Sequence, residues 1–158
     1  MEHVPRGKGE EYLNSEKYEI RDWDLERVDS LRPLITRLNA ARYAHPALQS
    51  DWRLRFFATD NEQLICFAKS TPDFSDVVLV VVNLDPRYTQ AGWVTLELSA
   101  LGLTDGASFG VRDLLTDVQY QWQGTRNFVQ LDPLTMPAHV FHLIAPAGGR
   151  RLLERASK

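Results

Sequence analysis

The spacing of apolar residues changes character near Leu48. Between Ser30 and Tyr43, Leu31, Leu34, Ile35 and Leu38 recur three and four residues apart, which lines them along one face of an amphipathic helix. Ser30 can cap that helix with its hydroxyl, and Pro33 falls in the first turn, where its missing N–H costs no intrahelical bond. Pro46 ends the helix by disfavouring helical geometry at His45.

Beyond Leu48 the period becomes two, as in antiparallel strands. Runs at Leu54–Ala58 and Leu64–Lys69 flank Thr59-Asp60-Asn61-Glu62-Gln63, a hairpin connection. Val77–Asn83 is an unbroken apolar run, the pattern of a central strand covered on both faces. Trp93–Leu98, Ser108–Leu114, Val118–Trp122, Asn127–Leu131 and Ala138–Ile144 follow, separated by Gly102, Asp105-Gly106, Gly124 and Pro133. Eight short strands predict a mainly β fold, an antiparallel two-sheet β-sandwich preceded by a loop and one helix. The polar stretch before Asp29 reads as a long loop, and the residues after Gly148 as a short helix or frayed tail.

Composition narrows the function. The 158 residues suffice for one hydrophobic core and fall short of the about 250 that a (β/α)8 barrel typically takes. A hydrophobic fraction of 44% with 25% charged residues is that of a soluble globular chain. The formal charge of −3, with signs interspersed, offers no broad footprint for nucleic acid. The single cysteine, Cys66, lies in an apolar run and reads as a small buried hydrophobe. The first residues lack the apolar stretch of a signal peptide and nothing downstream is long enough to span a membrane, so the expected location is cytoplasmic.

Candidate chemistry is sparse. Sugar-cleaving chemistry needs two carboxyl groups held beside a sugar ring, and Glu10, Glu11, Glu16, Asp22 and Asp24 are scattered among cations in the N-terminal loop, as on a solvated surface. His139 and His142 are three apart on a predicted strand, which sends them to opposite faces, and His3 and His45 have no acidic or cysteine neighbours at ligand spacing. No metal and no cofactor are expected. Tyr120 and Trp122 share a strand face and offer either a sugar-stacking platform or core packing.

Two stretches carry a resemblance. Glu10-Glu11-Tyr12-Leu13-Asn14-Ser15-Glu16-Lys17-Tyr18-Glu19-Ile20 resembles the loop after the last barrel strand in the bacterial maltosyltransferases that extend α-1,4-glucan from maltose 1-phosphate. The segment from Leu34 to Arg42 and on through His45-Pro46-Ala47-Leu48 is similar to the final barrel helix of the wider α-amylase clan. Val80–Pro86 and Leu131–Phe141 look like that family's C-terminal sandwich.

The resemblance implies three regions: residues 1–48 as the end of a catalytic barrel, 49–147 as the C-terminal β-sandwich, and 148–158 as a tail. It implies that Lys17 and Tyr18 bind the donor maltosyl unit, an ammonium offering donors to hydroxyls and a ring offering an apolar face. In the family an aspartate nucleophile, a glutamate acid/base and a second aspartate perform a retaining double displacement. Nothing here matches their motifs, so no catalytic residue is expected in this chain.

The expected function is therefore that of a C-terminal fragment of such an enzyme, whose partners are maltose 1-phosphate and α-glucan, without turnover of its own. The alternative is a free-standing carbohydrate-binding or scaffolding sandwich. With no barrel to cover it, the Leu31, Leu34, Ile35, Leu38 stripe should fold back on the sandwich or stay exposed and promote self-association.

Overall fold

The apolar run Val77–Asn83 forms a strand that neighbours shield on both faces. A computed structural model of the chain describes Ile20 and residues 22–144. It divides into two compact units, Met1–Arg32 and Pro33–Lys158. In the first, Arg27 chelates the Asp29 carboxylate through Nε and Nη2 at 2.9 and 2.6 Å, Arg32 pairs with Glu26, and Ser30 Oγ accepts the Arg32 amide at the start of the helix, at 3.2 Å.

The second unit is an eight-stranded, wholly antiparallel sheet. The helix α1 (Arg32–Ala44) leads through the 3-10 turn Pro46–Gln49 to β1 (Leu54–Thr59), β2 (Leu64–Ser70), β3 (Val77–Asn83) and β4 (Gln90–Thr95). A second 3-10 turn, Leu98–Leu101, precedes β5 (Ser108–Asp113), β6 (Gln119–Gln123), β7 (Arg126–Leu131) and β8 (Ala138–Ile144). Their order across the sheet is β6-β5-β8-β3-β2-β1-β4-β7.

The antiparallel β-sandwich expected from the sequence is present, its two layers joined into one continuous order through β1. That strand pairs with β2 from Leu54 to Phe57 and then with β4 through Ala58 and Thr59. The end strands β6 and β7 are consecutive in the chain, so the sheet wraps almost into a closed layer around one core. Eight strands and the central position of β3 agree with the sequence pattern.

Inside the wrap lie Leu79 and Val81 of β3, Cys66 of β2, Val94 of β4, Phe109 and Val111 of β5, Leu131 of β7 and Phe141 of β8, all nearly inaccessible. The alternate residues of β3 and β8, Val78 and Val140, face outward and meet Ala47 and Leu115 in a second cluster, with Leu34 of α1 packed against it. This is why β3 reads as a continuous apolar run: both of its faces are buried.

One strand differs from expectation. Trp93–Leu98 is displaced: β4 runs Gln90–Thr95, and Leu98 and Leu101 sit in a 3-10 turn whose apolar side chains close one end of the core. An apolar alternation cannot distinguish a strand from a short turn that plugs a core. Pro46 acts as anticipated, since His45 is extended at φ −110°, ψ 106°, and the next turn begins with Pro46.

The helix folds back, with a rotated seam. Ala41 is buried, Leu34 is half-buried against the second cluster, and the Arg37 guanidinium donates to the Leu115 carbonyl. Ile35 and Leu38 keep 51% and 39% of their surface exposed, and Leu31 is exposed too. The stripe is therefore divided, Leu34 packed on the sheet and Leu31, Ile35 and Leu38 exposed.

Candidate functional site

Lys17 and Tyr18, the residues expected to touch the donor sugar, lie outside the described residues, as do Glu10, Glu11, Glu16 and His3. Asp22 and Asp24 are exposed. Among the described residues the two buried carboxylates, Asp76 and Asp113, are each held by histidine, and none of the buried side-chain nitrogens or oxygens lacks a hydrogen-bond partner.

Asp113 closes the inward-facing row of β5 behind Phe109 and Val111. One oxygen accepts the amides of Leu115 at 3.1 Å and Val140 at 3.2 Å. The other accepts the Thr116 hydroxyl and pairs with His139 Nδ1, both at 2.9 Å. Burial works to raise the Asp113 pKa, but the bonds from His139, Leu115, Thr116 and Val140 together outweigh it and hold the carboxyl below its ordinary value. His139 stacks on Phe141 with ring centroids 4.7 Å apart. This pair pins the turn after β5 to β8 and has no open face for a substrate.

His142 lies on the opposite face of β8, as the odd spacing predicts. Its Nε2 is 3.4 Å from Asp76 Oδ1. The same oxygen lies 2.9 Å from His45 Nδ1, while Asp76 Oδ2 accepts the Ala47 amide at 2.9 Å. The two imidazole rings are 4.6 Å apart, tilted by 46°. Three ligand-type atoms, one from each residue, all lie within 4.8 Å of one another. His45 has no acidic neighbour at ligand spacing along the chain, and the fold supplies one in Asp76. No spacing signal could have joined residues from the end of α1, the β2–β3 loop and β8.

Aromatic surfaces are also rearranged. Trp122 is only 8% exposed and packs edge-on against Phe141 at 5.2 Å and Phe109 at 6.3 Å. The Tyr120–Trp122 platform is therefore core packing with Tyr120 at its rim. The most exposed indole is Trp52, at the mouth of an open cleft of about 620 Å³ lined also by Arg53, Arg55, Ser70, Phe74 and Glu97. Cys66 is buried as expected, and burial pushes its thiol up to about 12, so it is unreactive near neutrality.

Comparison with known proteins adds what the described residues cannot. A family model described as "GLGE, C-terminal" matches residues 56–143, more than half of the chain. An alpha-1,4-glucan:maltose-1-phosphate maltosyltransferase from Corynebacterium glutamicum is 48% identical over 146 residues, 90% of this chain and 22% of that protein. The enzyme of the same name from Chlorobaculum tepidum is 40% identical over 152 residues, 92% of this chain and 23% of that protein. The chain thus spans under a quarter of the length of these relatives.

Among solved structures, an α-amylase from Geobacillus thermoleovorans, complexed with acarbose, aligns with a TM-score of 0.57 at 16% identity over 79% of this chain and 25% of its own. The maltogenic α-amylase AmyB from Thermotoga neapolitana has the same score at 11% identity, over 76% and 27%. At such identities the likeness concerns the fold alone. The family match falls on the strands of the antiparallel sheet, from β1 to β8, and the chain belongs to the GLGE, C-terminal family.

Proposed function

We propose that this chain is the C-terminal part of an α-1,4-glucan:maltose-1-phosphate maltosyltransferase, contributing a scaffold and donor-site residues to an enzyme whose catalytic carboxylates lie elsewhere. The observation that carries this reading is identity of 40% and 48% along nine tenths of the chain to two proteins of that name, of which it spans under a quarter. Residues 1–48 end the catalytic barrel, residues 49–147 form the supporting β domain and residues 148–158 a tail. Lys17 and Tyr18 hold the donor maltosyl group, the ammonium donating to sugar hydroxyls and the ring covering an apolar sugar face.

The described acids support this division of labour. Asp76 and Asp113 are committed to histidines and backbone amides, so neither is poised to attack an anomeric carbon or protonate a leaving group. No described helix is long and apolar enough to cross a membrane, and the proposed setting is the cytoplasm, with maltose 1-phosphate and α-glucan as the small-molecule partners and no nucleic acid.

Incubated with maltose 1-phosphate and a short α-1,4-glucan, the chain alone should release no phosphate above the blank. Substituted for the matching segment of the Corynebacterium glutamicum relative, it should support release. In that chimera Lys17→Ala should raise KM for maltose 1-phosphate roughly tenfold, the loss of about one charge-assisted hydrogen bond. Turnover by the isolated chain would overturn the reading, and an unchanged KM would remove Lys17 from the donor site.

A further inference from the structure

We propose that His45, Asp76 and His142 form a site for a late first-row divalent cation, zinc being the type case, which ties the end of α1 to the outer face of the sheet. The inference is independent of the enzyme reading above. It stands on the convergence of two imidazole nitrogens and one carboxylate oxygen from three separate elements.

The geometry suits such an ion. Tetrahedral zinc bound at about 2.0–2.1 Å by nitrogen and oxygen sets its ligand atoms roughly 3.3 Å apart. His45 Nδ1 and His142 Nε2 lie 2.9 and 3.4 Å from Asp76 Oδ1, on either side of that edge length, and the three residues offer one ligand atom each within 4.8 Å of the others. The donor set discriminates between metals. Two imidazoles with one carboxylate suit zinc, cobalt, nickel and copper, whereas magnesium and calcium prefer oxygen ligands throughout.

The site is also built in advance. Asp76 Oδ2 accepts the Ala47 amide at 2.9 Å, and the Asp76 amide donates to Thr71 Oγ1 at 3.0 Å, so Oδ1 is turned toward the imidazoles. His45 is held extended between α1 and Pro46, and His142 sits on β8 opposite Val78 of β3. Outer hydrogen bonds of this kind orient metal ligands. The Asp76 and His45 side chains are 10% and 13% exposed, but that of His142 is 29% exposed, which leaves an approach for the ion and for water as a fourth ligand. His139 belongs to the opposite face, with Asp113.

Titration of the protein with cobalt(II) alone should give saturable visible d–d bands of a four-coordinate site at one equivalent, which zinc then abolishes. Zinc should raise the thermal unfolding midpoint, while magnesium and calcium at the same concentration should leave it unchanged. His142→Ala, at a partly exposed position, and His45→Ala should each weaken cobalt and zinc binding at least tenfold by calorimetry, since even outer-shell substitutions weaken metal binding by about 10–100-fold. The circular dichroism of metal-free His142→Ala should match that of the parent. The proposal is overturned if the parent chain shows no saturable cobalt binding, if both variants bind as tightly as the parent, or if magnesium produces the same response as zinc.

Discussion

A carboxylate with no accessible surface survives only when its hydrogen bonds replace water, and Asp113 receives four, from Leu115, Val140, Thr116 and His139. Asp113→Asn keeps the shape but turns donors toward donors, and should cost roughly 2–4 kcal/mol of unfolding free energy in urea titrations. Its folded pKa is depressed, so the unfolded state binds the proton more readily. The stabilisation is therefore full above the ordinary carboxylate value of about 3.9 and is lost as pH falls through the folded value. The gap between parent and variant should be widest near neutrality and close in acid, and a pH-independent gap would show that charge is not the cause. At this scale the chain was partly legible. An apolar run marked Cys66 as buried, but nothing in the residues around Asp113 announced a partner on β8.

At the scale of elements, two glycines with nearly the same φ differ in what surrounds them. Gly102, at φ 72°, ends the 3-10 turn Leu98–Leu101, and a Cβ there would lie 2.6 Å from Phe74 Cβ and Cγ. Gly106, at φ 71°, has nothing within 4 Å of the same position. Left-handed geometry alone costs a non-glycine residue about 1–2 kcal/mol, and forcing a packed ring aside adds roughly 1–3 kcal/mol. Gly106→Ala should thus lower stability by about 1 kcal/mol and Gly102→Ala by roughly 2–4 kcal/mol in denaturant titrations, and equal losses would mean that Phe74 yields freely. Both glycines were visible as turn punctuation. The neighbour that separates them was not, because Phe74 approaches Gly102 through the fold and not along the chain. The same limit applies to β4, whose leucine pattern ran on into a turn that plugs the core.

For the whole molecule, the outer flank of α1 is an apolar surface open to a second copy of the chain. Ala41 is buried and Leu34 packs half-buried against the outer cluster of the sheet, while Ile35 and Leu38 stay exposed at 51% and 39%. Exposed neighbouring aliphatics favour association, so sedimentation of the chain should show mass rising with concentration. The double substitution Ile35→Lys with Leu38→Glu should return it to monomer while changing stability by no more than about 0.5 kcal/mol, since it leaves Leu34 and Ala41 in place. A parent chain that stays monomeric throughout would show that the stripe is too small to self-associate.

The class of fold was written in the sequence by itself: a three-to-four period ending at Pro46, then a two-period with turn residues at intervals, and one strand apolar at every position. Those signals are local consequences of helix and strand geometry, so they need no knowledge of distant partners. The unusual string from Glu10 to Ile20 likewise carried the resemblance to the maltosyltransferases without any coordinates. The tertiary structure alone decided that the sheet bends at β1 into one continuous wrap, that α1 rests on it through Leu34, that Trp122 lies inside, and that His45, Asp76 and His142 meet. Each of these depends on contacts between residues far apart in the chain, and their energies arise only once the backbone has closed the distance between them.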